Sequence, residues 1–137
     1  MLKILAVIFA VVIVALTVVF FIYKPALAPP TAGPVSVTMP LPGGLITSPV
    51  GIEGQAVGTW FNEGTFPVEV LDSSGAVLGQ GQAQALGEWV TTSSVAFSAN
   101  IPFVTPQDAT GTILFMNDNP SGLPANQEQF TVEVRFK

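Results

Sequence analysis

No charged residue stands between Lys3 and Lys24, and residues 2–23 are otherwise almost all Val, Ile, Leu, Phe and Ala. At about 1.5 Å per residue, a helix of that length covers the roughly 30 Å of a bilayer's hydrocarbon. β-Branched residues are mediocre helix formers in water, but lipid leaves the backbone no partner except itself. The run therefore predicts a transmembrane anchor over residues 1–24. A buried core helix is the weaker alternative, since such helices seldom pass about 14 wholly apolar residues. A cleaved signal peptide has a shorter apolar region, roughly 7 to 15 residues, before its small-residue cleavage site. Ala26-Leu27-Ala28 offers that pattern, but Pro29 directly after it fits a peptidase poorly, so the anchor is expected to be retained. With no cysteine in the chain, a lipidated cysteine is not the anchor. Ala6 and Ala10 form one small-xxx-small step, a weak signal for helix pairing.

Lys3 and the α-amino group outweigh Lys24, which places the N-terminus in the cytoplasm. Between Lys24 and Arg135 no basic residue holds the chain there, so the C-terminal part is expected outside, on a single-pass cell-membrane protein. About 115 residues remain for it, enough for one folded domain. Nine carboxylates face only Arg135 and Lys137 in that part, a balance that argues against nucleic acid and against tight contact with anionic lipid. Without cysteine the domain is held by packing alone. Without histidine it lacks the commonest general base and metal ligand. No nucleophile with a partnered base and no carboxylate pair at a recommending spacing stands out, so the expectation is a non-enzyme that needs no cofactor.

Pro25, Pro29, Pro30, Pro34, Pro40 and Pro42 punctuate residues 25–43. At about 3.1 Å per residue in polyproline form, this linker stands off the membrane by up to roughly 50 Å. Val35-Ser36-Val37-Thr38-Met39 alternates like a strand, and the competing expectation is that it docks on a sheet edge.

From about residue 44 the hydrophobic period is two. Phe130, Val132, Val134 and Phe136 face one way, as do Val95, Phe97, Ala99, Ile101 and Phe103, while Ile52, Gly54 and Ala56 alternate with Glu53 and Gln55. Pro102 points to an edge strand or a bulge. Asp72-Ser73-Ser74-Gly75 has the Asp start and Gly finish of a tight turn, so a hairpin is expected there. Seven strands follow, near 44–48, 51–57, 66–72, 76–85, 94–103, 112–117 and 128–136. Short strands with turn signals and no helical period predict an all-β, immunoglobulin-like two-layer sandwich over residues 44–137.

The order of motifs resembles the immunoglobulin-like domain of bacterial spore germination proteins. The matching residues are Ile46-Thr47-Ser48-Pro49, Gly54-Gln55-Ala56, Phe61-Asn62-Glu63-Gly64, Val68-Glu69-Val70 with Asp72-Ser73-Ser74-Gly75, then 97–103, Gly111-Thr112-Ile113-Leu114 and Val132-Glu133-Val134. Asn62, between Phe61 and Glu63, departs from the pattern. The resemblance covers 45–137 and implies an envelope module without catalytic residues.

Gln80, Gln82 and Gln84 alternate with Gly79, Gly81, Ala83 and Ala85, so one strand face carries a row of amides able to bind glycan or peptide. The competing reading is a solvated face, with the small residues packed under bulky neighbours such as Trp60 or Trp89. Those two tryptophans are themselves candidates for a recognition surface, or else core. Asn117-Asp118-Asn119, with Asp108 or Glu128, resembles a fragment of a calcium site, although turn chemistry explains the triplet equally well. The expected function is an anchored, extracytoplasmic binding or structural module whose partner is another envelope protein or a glycan. The alternative is a homo-oligomeric, pilin-like filament subunit with bundled helices and outward β-domains.

Overall fold

The computed structural model describes residues 33–137. The anchor, the Ala6/Ala10 step, the Ala26-Leu27-Ala28 site and the start of the linker lie outside the described residues. Among the described residues no helix is long and apolar enough to cross a membrane.

Eight strands form: β1 (Val35–Met39), β2 (Gly44–Ile46), β3 (Val50–Val57), β4 (Thr65–Asp72), β5 (Val77–Ala85), β6 (Ser94–Ile101), β7 (Thr110–Met116) and β8 (Gln129–Phe136). Seven coincide with the expected strands, because alternation of apolar and polar residues over 3–9 positions specifies one buried face. The eighth, β1, comes from the stretch assigned to the linker. Val35–Met39 pairs antiparallel with β3 and buries Val35, so of the two readings of this segment the edge strand is the one observed. The ordered sheet therefore starts at Val35, ahead of residue 44.

All eight strands belong to one hydrogen-bonded sheet in the order β1-β3-β6-β5-β4-β7-β8-β2, where two separate sheets were expected. The sheet curls so that β1-β3-β6 faces β5-β4-β7-β8-β2. The join between these halves is narrow: β5 and β6 pair only at Gln84↔Ser98 and Ala85↔Phe97. The first part of the chain serves both halves, with β1 on β3 and β2 running parallel to β8. Pro102 lies just past the end of β6, and β6 sits between β3 and β5, so the proline does not mark an edge strand.

Aromatic rings bind the halves together. Phe97 of β6 meets Phe66 of β4 at 5.0 Å and Phe115 of β7 at 6.1 Å, while Trp60 and Phe61 pack edge-on to Phe66 at 5.7 and 5.1 Å. Edge-to-face pairs of this kind contribute about 0.5–1.5 kcal/mol beyond the burial of their area. Because the strands alternate in direction, the β3–β4, β5–β6 and β7–β8 connections share one end with the start of β1, and the chain leaves β8 at the other.

Candidate functional site

Trp60 is 1% exposed and belongs to the core. Its indole Nε1 donates to Glu128 Oε2 at 2.8 Å, so the polar edge of the ring is satisfied within the domain, and the ring makes a T-shaped pair with Phe66. It therefore drops out as a recognition residue: the short 3-10 turn Gly58–Trp60 that follows β3 carries it inward. Trp89 is half-buried against the core, and a side chain at Gly64 would meet its ring.

Gln80, Gln82 and Gln84 are exposed on β5, as the period of two requires. Beneath them Ala83 is fully buried, and a Cβ added at Gly81 would meet Ile101 Cδ1 at 2.8 Å. At Gly79 it would meet Phe103 Cβ, also at 2.8 Å. The bulky neighbours at these two glycines are thus Ile101 and Phe103. Ladder pairing between β5 and β6 resumes only where Val104 N–H donates to Leu78 C=O at 3.0 Å. Continuing the register from Gln84↔Ser98 sets Gln82 opposite Asn100 and Gln80 opposite Pro102, which has no N–H to give. In this gap lies an open groove of about 340 Å³ lined by Gln82, Gln84, Ser98, Ala99 and Asn100. Gln80 stays outside it.

A second groove, of about 430 Å³, lies on the outer face of β4, β7 and β8 and was not foreseen from the sequence. Arg135, Glu133, Thr110, Thr112, Asp72 and Ser73 line it. Arg135 Nε donates to Gly43 C=O at 2.8 Å, which holds the guanidinium at the β8 edge. Asp72 closes the β4–β5 turn by accepting Ser74 N–H (2.8 Å), Ser74 Oγ–H (2.7 Å) and Ala76 N–H (2.9 Å). The Ser74 hydroxyl and the Ala76 N–H hold its carboxyl below the ordinary value of 3.8. The only sequence signals of this groove were a lone arginine in an acidic domain and a turn aspartate, residues that meet only through pairing across three strands.

Asn117 and Asn119 spend their oxygens on their own loop. Asn117 Oδ1 accepts from Glu128 N–H at 2.7 Å and Gln127 Nε2 at 2.8 Å, and Asn119 Oδ1 accepts from Ser121 Oγ at 2.5 Å. Of the suggested helpers, Glu128 is bonded to Trp60 and Asp108 Oδ2 accepts from Ser73 Oγ at 2.5 Å. Turn chemistry accounts for the two asparagines. Among the described residues no group of three or more His, Cys, Asp or Glu side chains is placed to hold a metal ion.

The family model for the immunoglobulin-like domain of bacterial spore germination matches residues 34–123, more than half of the chain. The match begins with β1 and stops in the β7–β8 connection, ahead of β8. No curated protein and no solved structure matches the chain.

Proposed function

The chain belongs to the immunoglobulin-like domain family of bacterial spore germination, and from that premise we propose that it is a non-catalytic, membrane-anchored module that binds another component of the bacterial envelope outside the cytoplasm. One observation carries the reading: an uninterrupted apolar run long enough to span a bilayer stands directly before a domain of this family. The domain's acidic surface keeps it from adhering to anionic lipid and leaves its outer sheet faces for a partner. On one of these faces, Gln82, Gln84, Ser98 and Asn100 offer both donors and acceptors without net charge, chemistry suited to a neutral glycan or a peptide backbone.

Alkaline extraction of membranes tests the anchoring. The full chain is expected to stay in the pellet, and deletion of residues 2–23 is expected to release it. Release of the intact chain by carbonate would refute the anchor.

A further inference from the structure

We infer that the outer face of β6 is the floor of a trough that receives an extended peptide segment, with the amides of Gln82 and Gln84 bonding its backbone and Glu53 taking a basic side chain. The inference rests on the binding-module reading and chooses peptide over glycan as the partner.

The trough follows from strand register. On β6 the outward positions Ala96 and Ser98 carry small side chains. Ala96 lies between Leu86, whose N–H donates to the Ala96 carbonyl at 2.8 Å, and Gln55 of β3. Ser98 lies between Gln84 of β5 and Glu53 of β3. Long side chains thus stand on both sides of a low floor, two strand spacings or about 10 Å apart. Two grooves open along this floor, the one of about 340 Å³ at Gln82, Gln84 and Ser98, and another of about 280 Å³ at Glu53, Gln55, Leu86 and Ala96. From Gln82 to Leu86 the trough runs about 13 Å, the length of four extended residues.

The fold does not use the amides along it. Among the described residues no hydrogen bond engages the side chains of Gln55, Gln82, Gln84 or Asn100, whereas Asn117, Asn119, Asn126 and Gln127 all spend theirs inside the connection formed by residues 117–128. A side-chain amide pairs with a peptide unit as donor and acceptor at once. Gln82 and Gln84 point the same way on one strand and stand about 6.6–6.8 Å apart, which is also the distance between backbone groups that share one edge of an extended peptide. A segment laid along the trough therefore meets both amides in register.

Shape and charge then select the partner. A sugar stacks its apolar C–H face on an exposed aromatic ring, and the one aromatic residue that borders these grooves, Phe97, is 1% exposed and belongs to the core. Among the described residues that line the two grooves, Glu53 alone is ionised, so a basic side chain is drawn in and an acidic one repelled. Leu86, 64% exposed, offers an apolar contact one row away from Glu53. Side chains i and i+2 of an extended segment point to the same face, so a Lys-x-Leu pattern matches both. The trough is open to water, so affinity on the order of millimolar is expected.

Amide-resolved NMR of the full chain in detergent micelles tests this, with acetyl-Ala-Lys-Ala-Leu-amide as the probe. The peptide should shift the side-chain amide signals of Gln82 and Gln84 and the backbone signals of Ala96 and Ser98. Gln82→Ala combined with Gln84→Ala should weaken binding at least about fivefold and leave the thermal midpoint unchanged, because neither amide bonds the fold. The parent protein should prefer this peptide severalfold over acetyl-Ala-Glu-Ala-Leu-amide, and Glu53→Gln should remove that preference. No shift at millimolar peptide, shifts confined to another face, or unchanged affinity in the double variant would overturn the assignment, as would N,N′-diacetylchitobiose moving the same amides more than the peptide does. Such a failure is separable from failure of the anchored-module reading, because alkaline extraction reads the anchor without any peptide.

Discussion

The layer between the two halves of the sheet and the connection formed by residues 117–128 are held by opposite means. In the layer, Phe66, Phe97, Phe115, Ile52, Ile101 and Ile113 are at most 1% exposed, and no polar or charged residue is buried among the described residues. In the connection no residue is buried, and its order comes from amides and hydroxyls that bond one another. The layer is cooperative, because each ring touches elements distant in sequence. The loop is largely local, because its amide and hydroxyl bonds close within about a dozen residues, and only the bonds of Asp118 N–H and Glu128 to Trp60 tie it to a distant element. One region governs whether the domain folds, and the other governs what shape one end presents.

Substitutions break this comparison in a definite order. Phe66→Ala removes the ring that Trp60, Phe61 and Phe97 all touch, and a buried Phe-to-Ala change costs about 3–5 kcal/mol. Chemical denaturation should show that loss with an unchanged dependence on denaturant concentration. Gly79→Ala drives a methyl into the Pro102 carbonyl and Phe103, where overpacking costs about 1–3 kcal/mol. The same measurement reads it, and the effect should exceed that of Gly87→Ala, where an added methyl meets nothing within 4 Å. Glu128→Ala leaves the Trp60 N–H without its acceptor and should cost about 1–2 kcal/mol, with a change in tryptophan emission. Asn117→Ala removes two accepted bonds and one donated bond from the loop. Its global cost should stay within about 1 kcal/mol while amide exchange rises across residues 118–128 and not in β4 or β7.

The smallest effect is that of acid. Hydrogen bonds from Ser74 and Ala76 hold the Asp72 pKa below 3.8 in the folded chain, so the unfolded chain binds the proton first as pH falls. The resulting stability is present above 3.8 and is lost as pH drops through the lower folded value. Thermal melts between pH 5 and the acid limit should show Asp72→Asn with a shallower decline than the parent, and an identical decline would remove Asp72 from the account.

The strands were legible because a buried face every second residue leaves its mark on any single strand: Phe130, Val132, Val134 and Phe136 announce β8 alone. The turn at Asp72 was equally local, and Gly75 adopts the positive φ of 87° that its position implied. What stayed hidden depends on partners. Val35–Met39 reads as spacer or strand until β3 is beside it, since prolines flank it either way. Trp60 reads as recognition surface or core until Glu128, far along the chain, is seen accepting from its indole. The amide row was visible, yet only the break in the β5–β6 ladder shows that Gln82 and Gln84, and not Gln80, line a groove. The Arg135 groove needs β4, β7, β8 and Gly43 at once, and no window of sequence contains them.

Because the chain has no cysteine, topology is directly measurable. Thr105, exposed in the β6–β7 connection, is replaced by cysteine in the full chain and intact cells are treated with a membrane-impermeant maleimide, with Leu2→Cys as the inward control. The account predicts that Thr105→Cys labels in intact cells and Leu2→Cys only after permeabilisation. Protection of Thr105→Cys until lysis would contradict it.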